Sequence, residues 1–386
     1  MASVKPCIAF YGHVFSPTGY GTAARAYLHA FDSVAMNLSV MDLNPTHPKY
    51  VPDALVDSYL KTPVDPELHI CHTEAHRIQP MKELFPRLIA MTTWEADRLP
   101  EIYVEALNQV LEIWVPSRFN LDVFRGQLKR PVFCIPHPVR LWGNPPIDRA
   151  TLDKRLGLKK EDFVFLCTGT WQERKNLPAV IEAFLRAFPD DPDVVLVIKT
   201  SFGFVHENVV HRQIVEAIQR ANPAHVLEAT ERVKVSAEYW PEEYMTALSQ
   251  RANCYVSLHR GEGWCYPLFD AACNGTPVIA TAYSGPMDYL DAAHHPLVRY
   301  DLTGVNPPEE KAHFAFAPGM QWAAPDVDHA ANLMREVYDH QEESKKRAVE
   351  GSISLLGRYS LEVVGGMAER RLAELAHSLR PGSAFS

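Results

Sequence analysis

No stretch of this sequence is apolar for the roughly 20 residues that a membrane-spanning helix needs. The opening MASVKPCIAFYG lacks the apolar core of a secretion signal and reads as a first buried strand, so a cytoplasmic location is expected. The seven cysteines (Cys7, Cys71, Cys134, Cys167, Cys254, Cys265 and Cys273) contain no C-x-x-C pair. That argues against zinc ribbons and dithiol redox motifs and suits free buried thiols in a reducing compartment. Basic charge is in deficit: 38 Lys and Arg face 47 Asp and Glu, a net charge of -9, which leaves no overall field to attract nucleic acid. No G-x-S-x-G elbow is present, against α/β-hydrolase chemistry. Fixed-period repeats and low-complexity tracts are also missing.

What is present alternates. The 386 residues are too many for one ordinary core and suit two domains. Short apolar runs (CIAFYG, ELHICH, RLIAMTT, EIWVPS, PVFCIP, FVFLCTG, VVLVIKT, CYVSLH, PVIATA) are separated by helical patterns such as GTAARAYLHAF, NLPAVIEAFLRAF and PEEYMTALSQ. Several runs are hydrophobic on both faces, as in parallel strands covered by helices on either side. This predicts a doubly wound α/β architecture. The segment HPVRLWGNPPIDRATLDKRLGL, residues 137–158, is rich in proline and glycine, and FVFLCTG restarts the strand pattern after it. Two α/β halves are therefore expected, residues 1–150 and 151–360, with a last helix in 361–386. A ligand is expected in the cleft between the halves, at the carboxyl ends of the strands.

Three strand-to-helix loops could hold an anion. Gly19 and Gly21 follow the first strand, where missing Cβ atoms let backbone amides approach a phosphate and a helix start adds its dipole. Their G-Y-G spacing is not the G-x-G-x-x-G of dinucleotide folds, so the signal for NAD is weak, and an ordinary tight turn is the alternative. Arg174 and Lys175 precede the helix predicted from about Asn176, a place for two cations to clamp a diphosphate or to form a solvated pair. Lys199 ends the strand VVLVIKT. In HRGEGWCYPLFDAACNGTPVIA, residues 259–280, the loop Gly261, Glu262, Gly263, Trp264 leads to a helix starting near Pro267, with Asp270 in its first turns. Carboxylates cannot bind phosphate, but they accept hydrogen bonds from hydroxyls. Either a ligand with phosphates flanked by sugars sits there, or the two acids face solvent.

SLHRGEGWCYPLFDAACNGTPVIATAYSGPMDYL resembles the donor-binding signature of retaining GT-B glycosyltransferases of family 4, and TGTWQERKNLPAVIEAF resembles their phosphate-binding RKN segment. MTTWEADRLP, EIWVPSRFN and WAAPDVDHAANLMREVY are similar to other segments of that family, so the resemblance spans nearly the whole chain. It implies two Rossmann-like domains, the first binding the acceptor and the second the nucleotide sugar, with the last helix returning to the first. It implies that Glu262 contacts hydroxyls of the donor sugar, Asp270 the ribose hydroxyls, and Arg174 and Lys175 the diphosphate. Gly19 and Gly21 would approach the phosphates, and Lys199, Gly261, Gly263 and Trp264 would line the donor site. The second acid of the signature is usually Glu and here is the shorter Asp270. Glu95 stands about where many relatives carry an active-site His, with His72 as the other candidate. No metal or other cofactor is implied. The expected activity is transfer of mannose or glucose from a nucleotide-diphosphate sugar to a glycan or lipid-linked acceptor.

Rival readings remain. Asp191-Pro192-Asp193 imitates a D-x-D metal motif but sits where a polar turn is expected, and His72-Thr73-Glu74-Ala75-His76 is not the H-E-x-x-H order of zinc proteases. The tail GGMAERRLAELAHSLR is amphipathic and basic, fit for docking on the first domain or for weak contact with a membrane surface. A sugar-nucleotide epimerase and a catalytically silent nucleotide-sugar-binding subunit are the alternative functions.

Overall fold

The computed structural model describes residues 5–45, 50–60, 62, 65–203, 205–221, 230–305 and 316–379. It divides into two compact units: Met1–Arg140 with Val305–Met320 and Leu356–Ser386, and Leu141–Gly304 with Gln321–Leu355. In the first unit, strands β1 (Cys7–Gly12), β2 (Asn37–Asp42), β3 (Leu68–His72), β4 (Leu88–Met91), β5 (Glu112–Val115) and β6 (Val132–Cys134) form a parallel sheet. Its order is β2-β1-β3-β4-β5-β6. In the second unit, β7 (Phe163–Thr170), β8 (Val194–Ser201), β9 (Val233–Ser236), β10 (Cys254–Ser257), β11 (Val278–Thr281) and β12 (Leu297–Val298) form another parallel sheet, ordered β12-β11-β10-β7-β8-β9. A separate antiparallel hairpin pairs β13 (Tyr300–Gly304) with β14 (Gln321–Pro325).

The strand order explains where ligands can go. In the first sheet the chain steps outward from β1 to β2, then returns to lay β3 on the other side of β1. In the second it runs from β7 through β8 to β9, then returns to lay β10 beside β7. At such a reversal the two following loops part at the carboxyl ends of the strands and leave a crevice. β10 and β11 are buried along their whole length, as are β4 and β5. In the second unit Phe165, Phe184 and Phe188 pack with Leu196, Val256 and Met334 into a core that fixes the strand ends.

Local chemistry sets the boundaries. Asp148 caps the helix Arg149–Leu156 by accepting from Thr151 N at 2.7 Å, and Gly157, at φ 65°, ends it. The tail forms a helix, Leu361–Ser378, that packs on the helix Gly19–Ser33 of the first unit. Val364, Ala368, Leu372 and Leu375 are its buried stripe. Arg371 clasps the buried Glu112, with a nitrogen 2.6 Å from Oε2, and Trp114 Nε1 donates to the same carboxylate at 2.7 Å. The apolar side of this helix thus faces protein. Among the described residues no helix is long and apolar enough to cross a membrane.

The contact of the two helices depends on Gly365, where an added Cβ would lie 2.2 Å from the backbone oxygen of Ala30. Replacing a helical glycine by alanine ordinarily gains about 0.5–1 kcal/mol. Forcing a methyl into a packed backbone costs about 1–3 kcal/mol and wins here. Gly365→Ala is therefore expected to lower unfolding stability by about 1–2 kcal/mol. Gly366→Ala, whose Cβ would meet only the flexible end of Arg370 at 3.4 Å, should be neutral or stabilising. Urea unfolding of both variants checks this; equal midpoints would contradict the packing argument.

Candidate functional site

The loops after β7 and β10, neighbours at the reversal of the second sheet, are stitched together by the backbone. After β7 comes a 3-10 turn, Glu173–Lys175, and then Asn176 at φ 53°, a left-handed conformation that asparagine tolerates better than most residues. The Asn176 side chain donates to Leu258 O at 3.0 Å. Arg260 N donates to Arg174 O at 2.8 Å, and Arg174 donates back to Gly261 O at 2.9 Å. The helix Leu177–Ala187 starts with proline in its first turn. Gly169 in β7 leaves room for the Lys175 stem, whose methylenes would stand 3.3–3.5 Å from an added Cβ.

These bonds bring Arg174 and Lys175 to Glu262, all three expected site residues. Glu262 is 4% exposed. Its Oε1 accepts from Lys175 Nζ at 2.5 Å, and its Oε2 lies 2.8 Å from an Arg174 nitrogen. Burial opposes the negative charge, but Arg174 and then Lys175 more than offset it and hold the carboxyl down to about 2. Asp270, in the helix Tyr266–Cys273, is also 4% exposed. The possibility that these acids face solvent is thereby excluded. The Asp270 backbone carbonyl accepts from both nitrogens of Asn274, at 3.0 and 2.8 Å.

The expected Trp264 and several residues that the sequence did not single out for the site, His259, Ser284 and Gly285 among them, complete the surroundings. His259 is fully buried; desolvation, the largest cause, pulls it down to about 4, so the ring is neutral. Its Nε2 faces the carbonyl of Tyr283 at 3.2 Å, and a carbonyl only accepts, which makes Nδ1 the acceptor for Ser257 Oγ at 3.1 Å. Ser284 Oγ accepts from Glu262 N at 2.9 Å, and Gly285 N donates to Glu262 O at 2.9 Å. Ser284 itself sits at φ 65°, ψ -151°, a region that side chains avoid at a cost on the order of 1–3 kcal/mol. Cys265, at φ 71°, is a second left-handed residue, and its carbonyl and that of Trp264 accept from Tyr289 Oη at 3.3 and 2.7 Å. Trp264 packs against Phe269 and Tyr289 at ring distances of 5.0 and 4.9 Å. Burial pushes the thiols of Cys265 and Cys167 up to about 11 and about 12, so neither is a thiolate at neutral pH. The only signal for His259, Ser284 and Gly285 was their place after strands, in SLHRGEGW and ATAYSGP.

The family model for glycosyl transferases group 1 matches residues 148–351, more than half of the chain. The chain belongs to this family. It is a glycosyltransferase. No curated protein matches it in sequence. Among solved structures, HepE of Anabaena in complex with UDP and glucose is similar over 96% of this chain and 100% of its own, at 15% identity and a TM-score of 0.66. Sucrose-phosphate synthase from Thermosynechococcus elongatus is similar over 97% of this chain and 100% of its own, at 14% identity and a TM-score of 0.68. α,α-Trehalose 6-phosphate synthase from Burkholderia multivorans is similar over 82% of this chain and 73% of its own, at 12% identity and a TM-score of 0.61. At these identities the likeness shows the fold, which is GT-B: two Rossmann-like domains.

The other expected site residues of this glycosyltransferase each have their own surroundings. The Lys199 ammonium donates to the carbonyls of its neighbour Thr200, of Ser236 at the end of β9 and of Glu238 just after it, and lies 5.5 Å from the Trp240 ring. In the first unit, Gly21 has a packing reason, since a Cβ there would lie 2.0 Å from Ser16 O, whereas a Cβ on the exposed Gly19 would meet nothing. His72 ends β3, 3% exposed, among the rings of Phe10, Tyr20 and Tyr27. Burial, then His13, brings it down to about 3, so it is a neutral imidazole. Glu95 is half-buried, and its charge adds to the burial that raises the hydroxyls of Tyr20 and Tyr103. The rival metal motifs are engaged otherwise: Asp191 pairs with Arg335, Asp193 with Lys159, and Glu74 with Arg77.

The Glu262 cluster has a pH signature. A carboxyl lowered from 4.5 to about 2 by folding contributes stability that is present above the unfolded value and lost as pH falls through the folded one. The stability advantage of the native protein over Glu262→Gln should be constant above about pH 5 and shrink steadily toward pH 2. Denaturant unfolding of both proteins across that range checks the sign; an advantage independent of pH would contradict it.

Proposed function

We propose that the protein is a retaining hexosyltransferase of family 4 that moves mannose or glucose from a nucleotide-diphosphate sugar to a glycan or lipid-linked acceptor. The observation that carries this reading is the charged, buried Glu262 between Arg174 and Lys175, on loops at the carboxyl ends of β7 and β10. A carboxylate accepts from sugar hydroxyls, and guanidinium and ammonium groups attract phosphate oxygens. Of the three N–H donors of Lys175, Glu262 takes one. A ligand joining a sugar to a diphosphate suits both halves of the cluster, and the complex of the structurally similar HepE with UDP and glucose supports a donor of that class.

In this reading Arg174 and Lys175 stabilise the charge that develops on the departing diphosphate, the largest contribution to rate. Attack from the face that the diphosphate leaves retains the anomeric configuration, and the leaving phosphate accepts the acceptor's proton. No metal or other cofactor is needed, since the two cations neutralise the phosphates. Asp270 receives the ribose hydroxyls. Glu95 and His72 serve the acceptor.

Thermal unfolding with UDP, GDP, ADP and dTDP, each with and without its common sugars, tests the proposal. One base should raise the midpoint, a ligand at 100 times its Kd adding about 2.7 kcal/mol. Lys175→Ala should lose most of that shift. Proton NMR of the transferred product should show the anomeric configuration of the donor; the inverted product would overturn retention. Binding without transfer to any acceptor would favour a silent subunit, and donor turnover without acceptor an epimerase. No shift with any nucleotide would count against the whole reading.

A further inference from the structure

Ser284 occupies a backbone conformation, φ 65° and ψ -151°, that only glycine adopts freely, although glycine itself is the next residue. What serine adds there is its hydroxyl, and that hydroxyl both donates and accepts. It donates to Tyr283 O at 2.7 Å and accepts from Glu262 N at 2.9 Å. The donated proton fixes the hydroxyl rotor, so the oxygen's lone pairs face Glu262. Gly285 N then takes the other backbone group of Glu262, its carbonyl, at 2.9 Å. A Cβ on Gly285 would stand 2.1 Å from Gly263 O, so the two turns lie backbone against backbone. The same Tyr283 carbonyl faces His259 Nε2 at 3.2 Å, which ties the turn to the end of β10.

From this we infer that Ser284 is a positioning residue that keeps its strained backbone in order to hold Glu262 in register with Arg174 and Lys175. The inference rests on the proposed donor site. If Glu262 meets the sugar and the cations meet the diphosphate, loosening Glu262 alone selectively weakens recognition of the sugar. Stability and function then separate: glycine relieves the backbone but loses the acceptor, whereas alanine keeps the strain and loses the acceptor.

The test measures binding of the nucleotide that the native protein selects, alone and with its sugar, together with the thermal midpoint. Ser284→Gly should leave the midpoint equal or higher. Its affinity for the nucleotide sugar should fall about fivefold relative to that for the bare nucleotide, a coupling of the size seen between contacting residues. Ser284→Ala should show the same loss of selectivity with a lower midpoint. In a Glu262→Ala background, Ser284→Gly should cause no further loss of selectivity, because its effect runs through Glu262. Equal weakening of both ligands, or a loss that adds to that of Glu262→Ala, would mean a merely structural role and overturn the inference. If the native protein binds no nucleotide sugar, the donor-site reading fails and this inference with it. If the native protein binds one and Ser284→Gly keeps its selectivity, only this inference fails.

Discussion

A carboxylate sealed from water must be met by positive charge, and in the second unit that requirement falls on Glu262. Its own loop carries Arg260, which points to the Trp322 ring instead, 5.7 Å from its centroid. The neutralising cations come from the loop after β7, and so the two strands must be neighbours. The order β12-β11-β10-β7-β8-β9 makes them so. Asn176 in a left-handed conformation, the 3-10 turn before it, the glycine under the Lys175 stem and the clamp from Ser284 and Gly285 all serve one geometry. They keep three charged groups from drifting by the ångström or so that would leave one of them buried and unmatched.

The groups around this cluster are chemically quiet. His259 is neutral, and the thiols of Cys167 and Cys265 are protonated. The charges in the cluster belong to Glu262 and to the two cations paired with it, Arg174 and Lys175. Such a site can orient a substrate and stabilise developing negative charge on it, which is what departure of a phosphate demands. The first unit shows the same economy: His72 is an uncharged ring packed among aromatic side chains, Tyr20 among them.

The strands that the sequence shows most clearly are the central ones. Runs such as FVFLCTG and CYVSLH are covered on both faces, and continuous hydrophobicity is their signature. NLSVMD and VKVS escape that pattern because β2 and β9 are edge strands with one face partly open to water, and polar residues alternate along them. β12 is only two residues long, and the exposed β13 carries Tyr300 and Asp301 at its start. Short or half-wet strands leave little periodic signal, while the long interior helices and the switch from strand to loop leave much.

By itself the sequence determined two α/β halves, a set of loops that carry Arg174, Lys175 and Glu262 at strand ends, and a following helix that carries Asp270. It determined these because strand and helix periodicity and glycine and proline punctuation are local properties. Tertiary structure alone decided which of those residues meet. Glu262 and Lys175 are 87 positions apart and touch only because β7 and β10 pair. Lys199, equally well placed in sequence, lies on the β9 side and is held by carbonyls there. Whether the acids face water, why Ser284 tolerates a glycine's backbone, and why His259 is uncharged are consequences of what covers each group. Burial and neighbouring charge are sums over the whole fold, and no window of sequence contains them.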